Sequence, residues 1–251
     1  EGNKISMTYS GGTVKNVRCN ATGTSSISSS DWQVGKYDTI SDITVGECVT
    51  NINHYAFNYC SATTIALPES ITSIGTYAFD NSHITAITIP YQVTEIPKRC
   101  FSECYNLTNV EFGNGVTSIG QYAFYHCSGI TQITLPPRLE TIGEMAFTNI
   151  GITDITIPSG VTSMGGYLFD HNDGSSSLSS VTFANGMTQL NIKYGNLPDS
   201  VQIVNLPNTL TTISGNPFGS SALTEAVIPD SVTTLTGSGI EINSSACTSI
   251  T

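Results

Sequence analysis

The chain has 251 residues, of which 39% are hydrophobic and only 11% are charged, and its 19 acidic and 8 basic residues give a net charge of −11. This acidic balance, with basic residues scattered along the chain, argues against nucleic acid or an anionic membrane surface as a partner. No run of about 18 apolar residues occurs, so no membrane-spanning helix is predicted. The low charge is typical of many secreted proteins.

Residues 1–39 differ in pattern from the rest of the chain. The segment Lys4–Cys19 predicts two strands joined at the turn signal Ser10-Gly11-Gly12, and a Ser/Thr-rich stretch and the single tryptophan, Trp32, follow it. The end of a repeat stack exposes core and strand edge unless it is capped. We therefore interpret residues 1–39 as a β-rich N-terminal cap, with a small separate domain as the alternative.

Residues 40–251 consist of repeated units, called coils here, that recur every 22–26 residues. Such a fixed period is the signature of a solenoid. A tenth coil begins at Ile250-Thr251. The nine coils before it begin at Ile40, Ala62, Ile84, Leu107, Ile130, Ile152, Leu178, Val201 and Leu223.

Every coil follows one layout. It opens with a short β-branched segment such as ITQITLP (Ile130–Pro136), which predicts a strand that ends at the proline. A second apolar pair follows, usually before a glycine that we expect to bend the chain at positive φ, and then a Tyr-Ala-Phe group. One coil cannot bury its apolar side alone, so the coils are predicted to stack as parallel strands about 4.8 Å apart. The coils at Leu178 and Leu223 lack the Ala-Phe pair, and we expect irregular structure there.

The repeated phrase IxIPxxVTxIGxYAFxxC resembles the BspA-like (Treponema-type) leucine-rich repeat over about residues 40–251. The resemblance implies an α/β-solenoid that is mostly β, a right-handed leucine-rich-repeat coil with a parallel concave sheet. It also implies a non-enzymatic adhesion module of bacterial origin, extracellular or on the cell surface, with any signal and anchor outside this sequence. The implied partner is a host matrix protein or another cell-surface protein. We expect a monomer without a cofactor.

The outward residues of the opening strand are the candidate binding residues. The first, fourth and sixth places should point into the core, and the second place, nearly always Ser or Thr, should form a supporting hydroxyl ladder. The third and fifth places vary, and variable residues on a regular frame suit recognition on a concave face. The candidate ligand-binding residues are Asp42, Thr44, Thr64, Thr88, Asn109, Glu111, Gln132, Thr134, Asp154 and Thr156.

Two alternative functions remain open at this point. One is a glycan-binding module, for which the recurrent tyrosines Tyr55, Tyr77 and Tyr122 are the first candidates. These tyrosines belong to a stripe that Arg99 and Met145 interrupt, and the stripe can equally cover the edge of the core. The other alternative is a phage-tail or structural spacer module, which would hold another domain away from a surface.

The remaining reactive residues predict no chemical site. Seven cysteines cannot all pair within one chain. The cysteines that lie three residues after a phenylalanine, Cys60, Cys104 and Cys127, are predicted to be buried free thiols. Bridges Cys104–Cys127 and Cys19–Cys48 are the alternatives. The pair Cys100 and Cys104 lacks zinc-site spacing, the loop Asp170–Ser177 fails the EF-hand pattern, and no catalytic motif surrounds the four histidines. No catalytic, cofactor-binding or metal residue is therefore predicted.

Overall fold

The computed structural model describes residues 4–9, 14–18, 25–27, 40–47, 49–171, 176–192, 197–215 and 222–236. Within these ranges the chain forms a solenoid of short strands and turns, and no helix is present. The predicted parallel-strand repeat solenoid, mostly β, is thus confirmed, while its helical component is not seen in the described ranges. The proposed Cys19–Cys48 bridge lies outside the described residues, as does the start of the tenth coil.

Twenty strands lie within the described ranges. In chain order they are β1 (Lys4–Tyr9), β2 (Val14–Arg18), β3 (Ser25–Ile27), β4 (Ile40–Thr44), β5 (Val49–Ile52), β6 (Thr64–Ala66), β7 (Ser73–Ile74), β8 (Ala86–Thr88), β9 (Glu95–Ile96), β10 (Asn109–Glu111), β11 (Ser118–Ile119), β12 (Thr141–Ile142), β13 (Asp154–Ile157), β14 (Ser163–Met164), β15 (Ser180–Phe183), β16 (Gln189–Ile192), β17 (Ile203–Asn205), β18 (Thr212–Gly215), β19 (Glu225–Ala226) and β20 (Thr234–Thr236).

The strands lie on two sides of the coils. The opening segments form what we call the first face, in the order β10-β8-β6-β4-β1-β2 and, further along, β13-β15-β17-β19. The second apolar pairs form the second face, in the orders β3-β5-β7 and β20-β18-β16-β14-β12-β11-β9. Pairing between successive coils is parallel and joins equivalent places, as in Asp42 with Thr64, except that Met164 of β14 pairs with Ile192 of β16, two residues beyond its equivalent Leu190. At the start of the stack, β1 pairs antiparallel with both β2 and β4.

The second face is interrupted between β7 and β9, where a proline replaces a residue that would donate a backbone N–H. In four coils a glycine directly after the apolar pair donates its N–H to the preceding coil, as Gly75 does to Ile52 O over 2.7 Å and Gly120 does to Ile96 O over 2.7 Å. The third coil has Pro97 at this place. Proline has no N–H, so it cannot donate to the carbonyl of Ile74.

The glycines of the second face are explained by close approach rather than by a bend. The prediction of positive φ after the second apolar pair is wrong, because the described glycines with positive φ are Gly186 and Gly215. A Cβ at Gly75 would lie 2.4 Å from His54 N, and one at Gly143 would lie 2.3 Å from Gln121 N. Real Cβ atoms do not approach backbone this closely, so only glycine fits.

Turns form the third side of the solenoid, and among the described residues non-glycine residues adopt positive φ here twice in each of the first five coils and once in the sixth. Six lie at the first place of the turn (φ 52–59°) and five lie four residues later (φ 55–60°). Each left-handed residue costs about 1–2 kcal/mol. Backbone bonds to the next coil offset this strain: Tyr55 N donates to Thr76 O over 3.1 Å and Tyr59 N donates to Asp80 O over 2.9 Å.

A column of six stacked phenylalanine rings runs through the core. Neighbouring centroids are 5.1–5.9 Å apart and neighbouring planes lie within 20° of parallel. All six side chains are buried, and each supplies the apolar contact that one coil offers to the next. The rings belong to Phe57, Phe79, Phe101, Phe124, Phe147 and Phe169.

Truncating a central ring should therefore weaken the whole stack. Phe101 is 0% exposed and stacks on both neighbours, at 5.1 Å and 5.3 Å. We expect Phe101→Ala to lower the free energy of unfolding by about 3–5 kcal/mol, measured as a lower urea midpoint by circular dichroism. Tyr59→Ala is the control, because Tyr59 is 72% exposed and its loss should change stability by less than about 0.5 kcal/mol. Equal midpoints for the two variants would contradict a shared core.

Candidate functional site

The exposed side of the first face gathers all ten candidate binding residues into two rows. In the third-place row, Asp42 pairs with Thr64, Thr64 pairs with Ala86, and Ala86 pairs with Asn109. The fifth-place row pairs Thr88 with Glu111, and the Thr88 hydroxyl donates to Glu111 Oε2 over 3.2 Å. Nine of the ten side chains are exposed and Asp42 is half-buried. The alternation of inward and outward places predicted from the sequence is what brings them onto one surface.

The second-place hydroxyls hold this frame in register. Thr63, Thr85 and Thr108 each donate to the backbone carbonyl of the preceding coil at that place, over 3.0–3.3 Å. Ser179 and Thr224 do the same further along, over 3.0 Å and 3.3 Å. The supporting ladder predicted for these residues is therefore present, although the hydroxyls bond to carbonyls rather than to one another.

The first face is interrupted at the fifth coil. The opening segment Ile130–Pro136 forms no strand, and no backbone hydrogen bond joins residues 131–135 to either neighbouring coil, all of which lie within the described ranges. Ile133 is half-buried here, whereas its counterparts Val110 and Ile155 are buried. The inward side chains are thus less covered at this point than elsewhere along the face.

A depression of about 430 Å³ lies at the interruption. Phe112 and Ile133 form part of its apolar floor, and Pro136 and Pro137 line one side. Its polar lining is supplied by Asn109, Glu111, Asn114, Gln132 and Thr134. Four of the ten candidate residues therefore surround an apolar patch, which is the arrangement of a small binding surface with an apolar centre and a polar rim.

A second depression of about 470 Å³ lies further along the same face, and the sequence analysis did not select it. It is lined by Ile203, Asn205, Asn208, Thr224 and Val227, among others. Ile203 and Val227 are 52% and 51% exposed although both are apolar. The signal was present in the sequence, since these apolar residues occupy the outward third and fifth places of their coils.

The turn side carries the tyrosine stripe. Tyr55 stacks on Tyr77 with a centroid distance of 4.7 Å and an interplanar angle of 16°. The guanidinium carbon of Arg99 lies 5.8 Å from the Tyr77 centroid and 4.8 Å from that of Tyr122. Ring faces in this stripe are therefore directed along the stack, toward the neighbouring coils.

Cysteines of the described ranges are buried free thiols, as predicted. The thiols of Cys104 and Cys127 each donate to a backbone carbonyl over 3.0 Å, Phe79 O and Phe101 O respectively. The alternative Cys104–Cys127 bridge is not formed. Burial raises the pKa of Cys60 to about 11 and that of Cys104 to about 12, because a thiolate would lose its hydration there. These thiols are structural rather than reactive.

We expect the four buried thiols to be inert in the folded protein. In a variant with Cys19, Cys48 and Cys247 replaced by serine, a disulfide-exchange reagent at pH 8 should modify no thiol until urea unfolds the chain, and four thereafter. Folding raises the pKa of Cys60 and Cys104. The contribution of these protonated thiols to the free energy of unfolding is therefore present below pH 9 and is lost as the pH rises toward 11–12. Rapid modification of the folded variant would contradict this burial.

Asp80 is an acidic side chain placed inside the turn side, where it is 8% exposed. Asn58 Nδ2 donates to Asp80 Oδ2 over 2.9 Å, while Oδ1 has no hydrogen-bond partner. Burial raises the pKa of this carboxyl, since the carboxylate is less hydrated in the folded chain. The charge of Glu103 raises the pKa further, and that of Arg99 opposes the shift.

Replacing Asp80 by asparagine should stabilise the protein at neutral pH. A carboxyl with a raised folded-state pKa favours folding when protonated, and this contribution is lost as the pH rises through that pKa. The amide oxygen of Asp80→Asn can still accept from Asn58. We therefore expect a higher urea midpoint at pH 7 and no gain well below the pKa of an ordinary carboxyl. The exposed Asp154→Asn is the control, and a gain of equal size in both variants would show that burial is not the cause.

The described residues contain no group of three or more His, Cys, Asp or Glu side chains arranged to hold a metal ion. Within the same ranges, no helix is long and apolar enough to cross a membrane. The exposed polar groups of the described residues are mainly hydroxyls, amides, scattered carboxylates and tyrosines.

Fold and surface together define a leucine-rich-repeat solenoid with rows of exposed side chains. The family model for the BspA type leucine rich repeat region matches residues 35–133, 94–194 and 117–245, in six copies. The chain belongs to this family, and the resemblance inferred from the repeated phrase is confirmed. Proteins of the family are generally non-enzymatic, and membership indicates a protein-interaction module.

Solved structures similar to the chain include leucine-rich-repeat proteins. One is the leucine rich repeat protein TpLRR of T. pallidum, at 22% identity, covering 73% of this chain and 82% of that one, with a TM-score of 0.48. The pneumococcal vaccine antigen PcpA is 20% identical over 91% of this chain and 66% of its own, with a TM-score of 0.49. A leucine-rich repeat protein from Eubacterium ventriosum is 18% identical, covering 79% and 65%, with a TM-score of 0.49. No curated protein matches the chain.

Proposed function

We propose that the chain is a non-enzymatic adhesion module that recognises a protein ligand through the exposed side of the first face. The observation that carries this proposal is the depression at the fifth coil, where an apolar floor lies among four of the candidate residues. A protein ligand fits this surface because interfaces between proteins combine a small apolar centre with polar surroundings. The host matrix or another cell surface would present such a ligand.

The rigidity of the frame supports this assignment. Eight of the ten candidate residues stand on strands, and backbone pairing and the second-place hydroxyls fix the register of such strands; Gln132 and Thr134 lie in the strandless segment of the fifth coil. A surface that is ordered before binding loses less conformational entropy on association. Moderate affinity can then arise from residues that are individually ordinary, such as threonine and asparagine.

The glycan alternative receives less support from the geometry. Sugars are bound by the flat faces of aromatic rings, but the faces of Tyr55 and Tyr77 lie against each other at 4.7 Å. The face of Tyr122 is covered by the guanidinium of Arg99. Hence the tyrosines of the stripe that were the first glycan candidates offer edges and hydroxyls to solvent rather than a stacking platform.

An extracellular or cell-surface location belongs to the same proposal. Only 11% of the residues are charged, and the outward places are filled mainly by Ser, Thr and Asn, which is common in secreted proteins. Family membership agrees with such a location. A spacer role would need no contact chemistry on the first face, and the experiment below separates it from binding.

Binding to an array of purified matrix proteins and glycans should identify the ligand and locate the surface. The test variant replaces Asn109, Glu111, Gln132 and Asp154 by alanine together. We expect its affinity for the ligand to fall at least about tenfold, equivalent to about 1.4 kcal/mol. Binding would be measured by surface plasmon resonance, with circular dichroism to verify the fold.

The control replaces Glu95, Glu140, Thr162 and Ser163 by alanine on the second face. All four are exposed, and the control removes two acidic residues, as the test variant does. It should bind like the unmodified chain. Unchanged binding of the test variant would rule out the first face, and the lack of any ligand on the array would favour the spacer.

A further inference from the structure

One row on the turn side combines aromatic rings with a single cation. We call it the tyrosine–arginine row, and its members occupy the first turn place of six consecutive coils with φ of 52–59°. It lies on a different side of the coils from the first face. The row consists of Tyr55, Tyr77, Arg99, Tyr122, Met145 and Tyr167.

Arg99 is held flat between its two neighbours in this row. Its guanidinium carbon is 4.8 Å from the Tyr122 centroid and 5.8 Å from that of Tyr77, so a ring covers each side of the cation. The ring of Tyr125 lies 5.9 Å away as well. Cation–π contacts at such distances stabilise a guanidinium and restrict its orientation. What remains open to solvent is the edge, where the N–H donors are.

The N–H donors of this guanidinium are not used within the described part of the chain. Among those residues it forms no ion pair, and the hydrogen bonds of Arg99 are made by its backbone: its N–H donates to Gln121 O over 3.0 Å, and its carbonyl accepts from Ser102 N over 3.4 Å. The side chain is partly exposed. A planar fork of donors, fixed in place and unpaired, matches the two oxygens of a carboxylate and can bind them in a bidentate manner.

The surroundings of Arg99 favour one carboxylate carried by a protein over an acidic polymer. A polyanion needs a series of cations, but the row supplies a single arginine; half-buried Glu103 lies in the same coil as Arg99, and exposed Glu144 lies two coils further along. The net charge of −11 would also repel a polyanion. Tyrosine, arginine and methionine are the residues that are enriched in protein–protein interfaces and their hot spots.

Exposed tyrosines lie both within the row and beside it. Tyr55 is 48% exposed, Tyr59 is 72% exposed and Tyr105 is 50% exposed. The Tyr105 ring meets the ring of His126 edge-on at 6.3 Å, and the Tyr105 hydroxyl donates to Glu103 Oε2 over 3.4 Å. Large amphipathic rings held in one orientation provide contact area with little loss of side-chain entropy.

We infer that the tyrosine–arginine row is a second protein-docking surface, in which Arg99 receives an aspartate or glutamate side chain of the partner. The flanking tyrosines shield that ion pair from water and contact the apolar residues beside it. This surface is independent of the ligand proposed for the first face, because the two use different sides of the same coils.

The test uses a displayed library of random peptides selected on the full chain. Arg99→Tyr is the key variant, since Tyr77 and Tyr122 adopt the same positive φ and the change continues the stack while it removes the cation. We expect enriched peptides to carry Asp or Glu beside apolar residues and to bind Arg99→Tyr at least tenfold more weakly. Arg99→Lys, which keeps the charge without the planar fork, should weaken binding severalfold.

Two controls make the result specific. Arg99→Tyr should keep the circular dichroism spectrum and urea midpoint of the unmodified chain. The first-face variant with Asn109, Glu111, Gln132 and Asp154 replaced should bind the selected peptides normally, so failure of either surface is seen separately. Enriched peptides without acidic residues, equal binding to Arg99→Tyr, or Arg99-dependent binding of heparin with no peptide selected would each overturn the inference.

Discussion

Parallel backbone hydrogen bonding between equivalent places of successive coils is the constraint on which the rest of this structure depends. Asp42 pairs with Thr64 and Asn109 pairs with Ala86, so a residue on a paired strand of the first face lies beside its counterpart one coil away. The third side obeys the same rule through residues at positive φ. Whatever residue type recurs at a place therefore forms a column, whether that column is phenylalanine in the core or threonine on the surface.

The columns explain why reactive residues here have structural roles. A thiol at Cys104 or Cys127 lies in the core and donates to a backbone carbonyl one coil earlier. Its burial raises its pKa, which removes the thiolate that reactivity requires. Similarly, His126 contacts Asn149 through its Nε2 atom at 2.7 Å within the turn column. These thiol and imidazole groups form hydrogen bonds with residues of adjacent coils. The variable outward places are therefore the better candidates for recognition.

The repeat made most of the fold predictable, and local context decided the rest. Phe124, Val116 and Ile119 are buried as their places in the repeat predict. The phrases ITAITIP (Ile84–Pro90) and ITQITLP (Ile130–Pro136) are nearly identical, yet the first contains β8 and the second forms no strand. The coil before residues 131–135 has Phe112 and Gly113 at its sixth and seventh places. The coils on either side of it have a smaller apolar residue and a proline at these places. The sequence pattern of a single coil does not contain the residues of the preceding coil, so it could not predict the loss of this strand.

Positive φ shows the same dependence on neighbours. We predicted it at the glycines, but it occurs at Tyr55, Tyr77 and their counterparts, because the turn needs it in order to bond to the next coil. The glycines are required for a different reason: a Cβ at these places would clash with the backbone of the preceding coil. Sequence propensity alone cannot separate these requirements, since each is set by a residue about 22 positions away.

Arg99 shows how a break in a column becomes informative. In the sequence it interrupts a tyrosine stripe, and an interruption of that kind predicts only a weaker repeat. In the structure its neighbours Tyr77 and Tyr122 stack on both sides of it, so the substitution places one oriented cation in an aromatic column. Stacking covers ring faces and leaves edges, which suits the N–H donors of a guanidinium and disfavours a sugar platform. A solenoid that repeats its frame can therefore acquire a specific contact by changing a single place in a single coil.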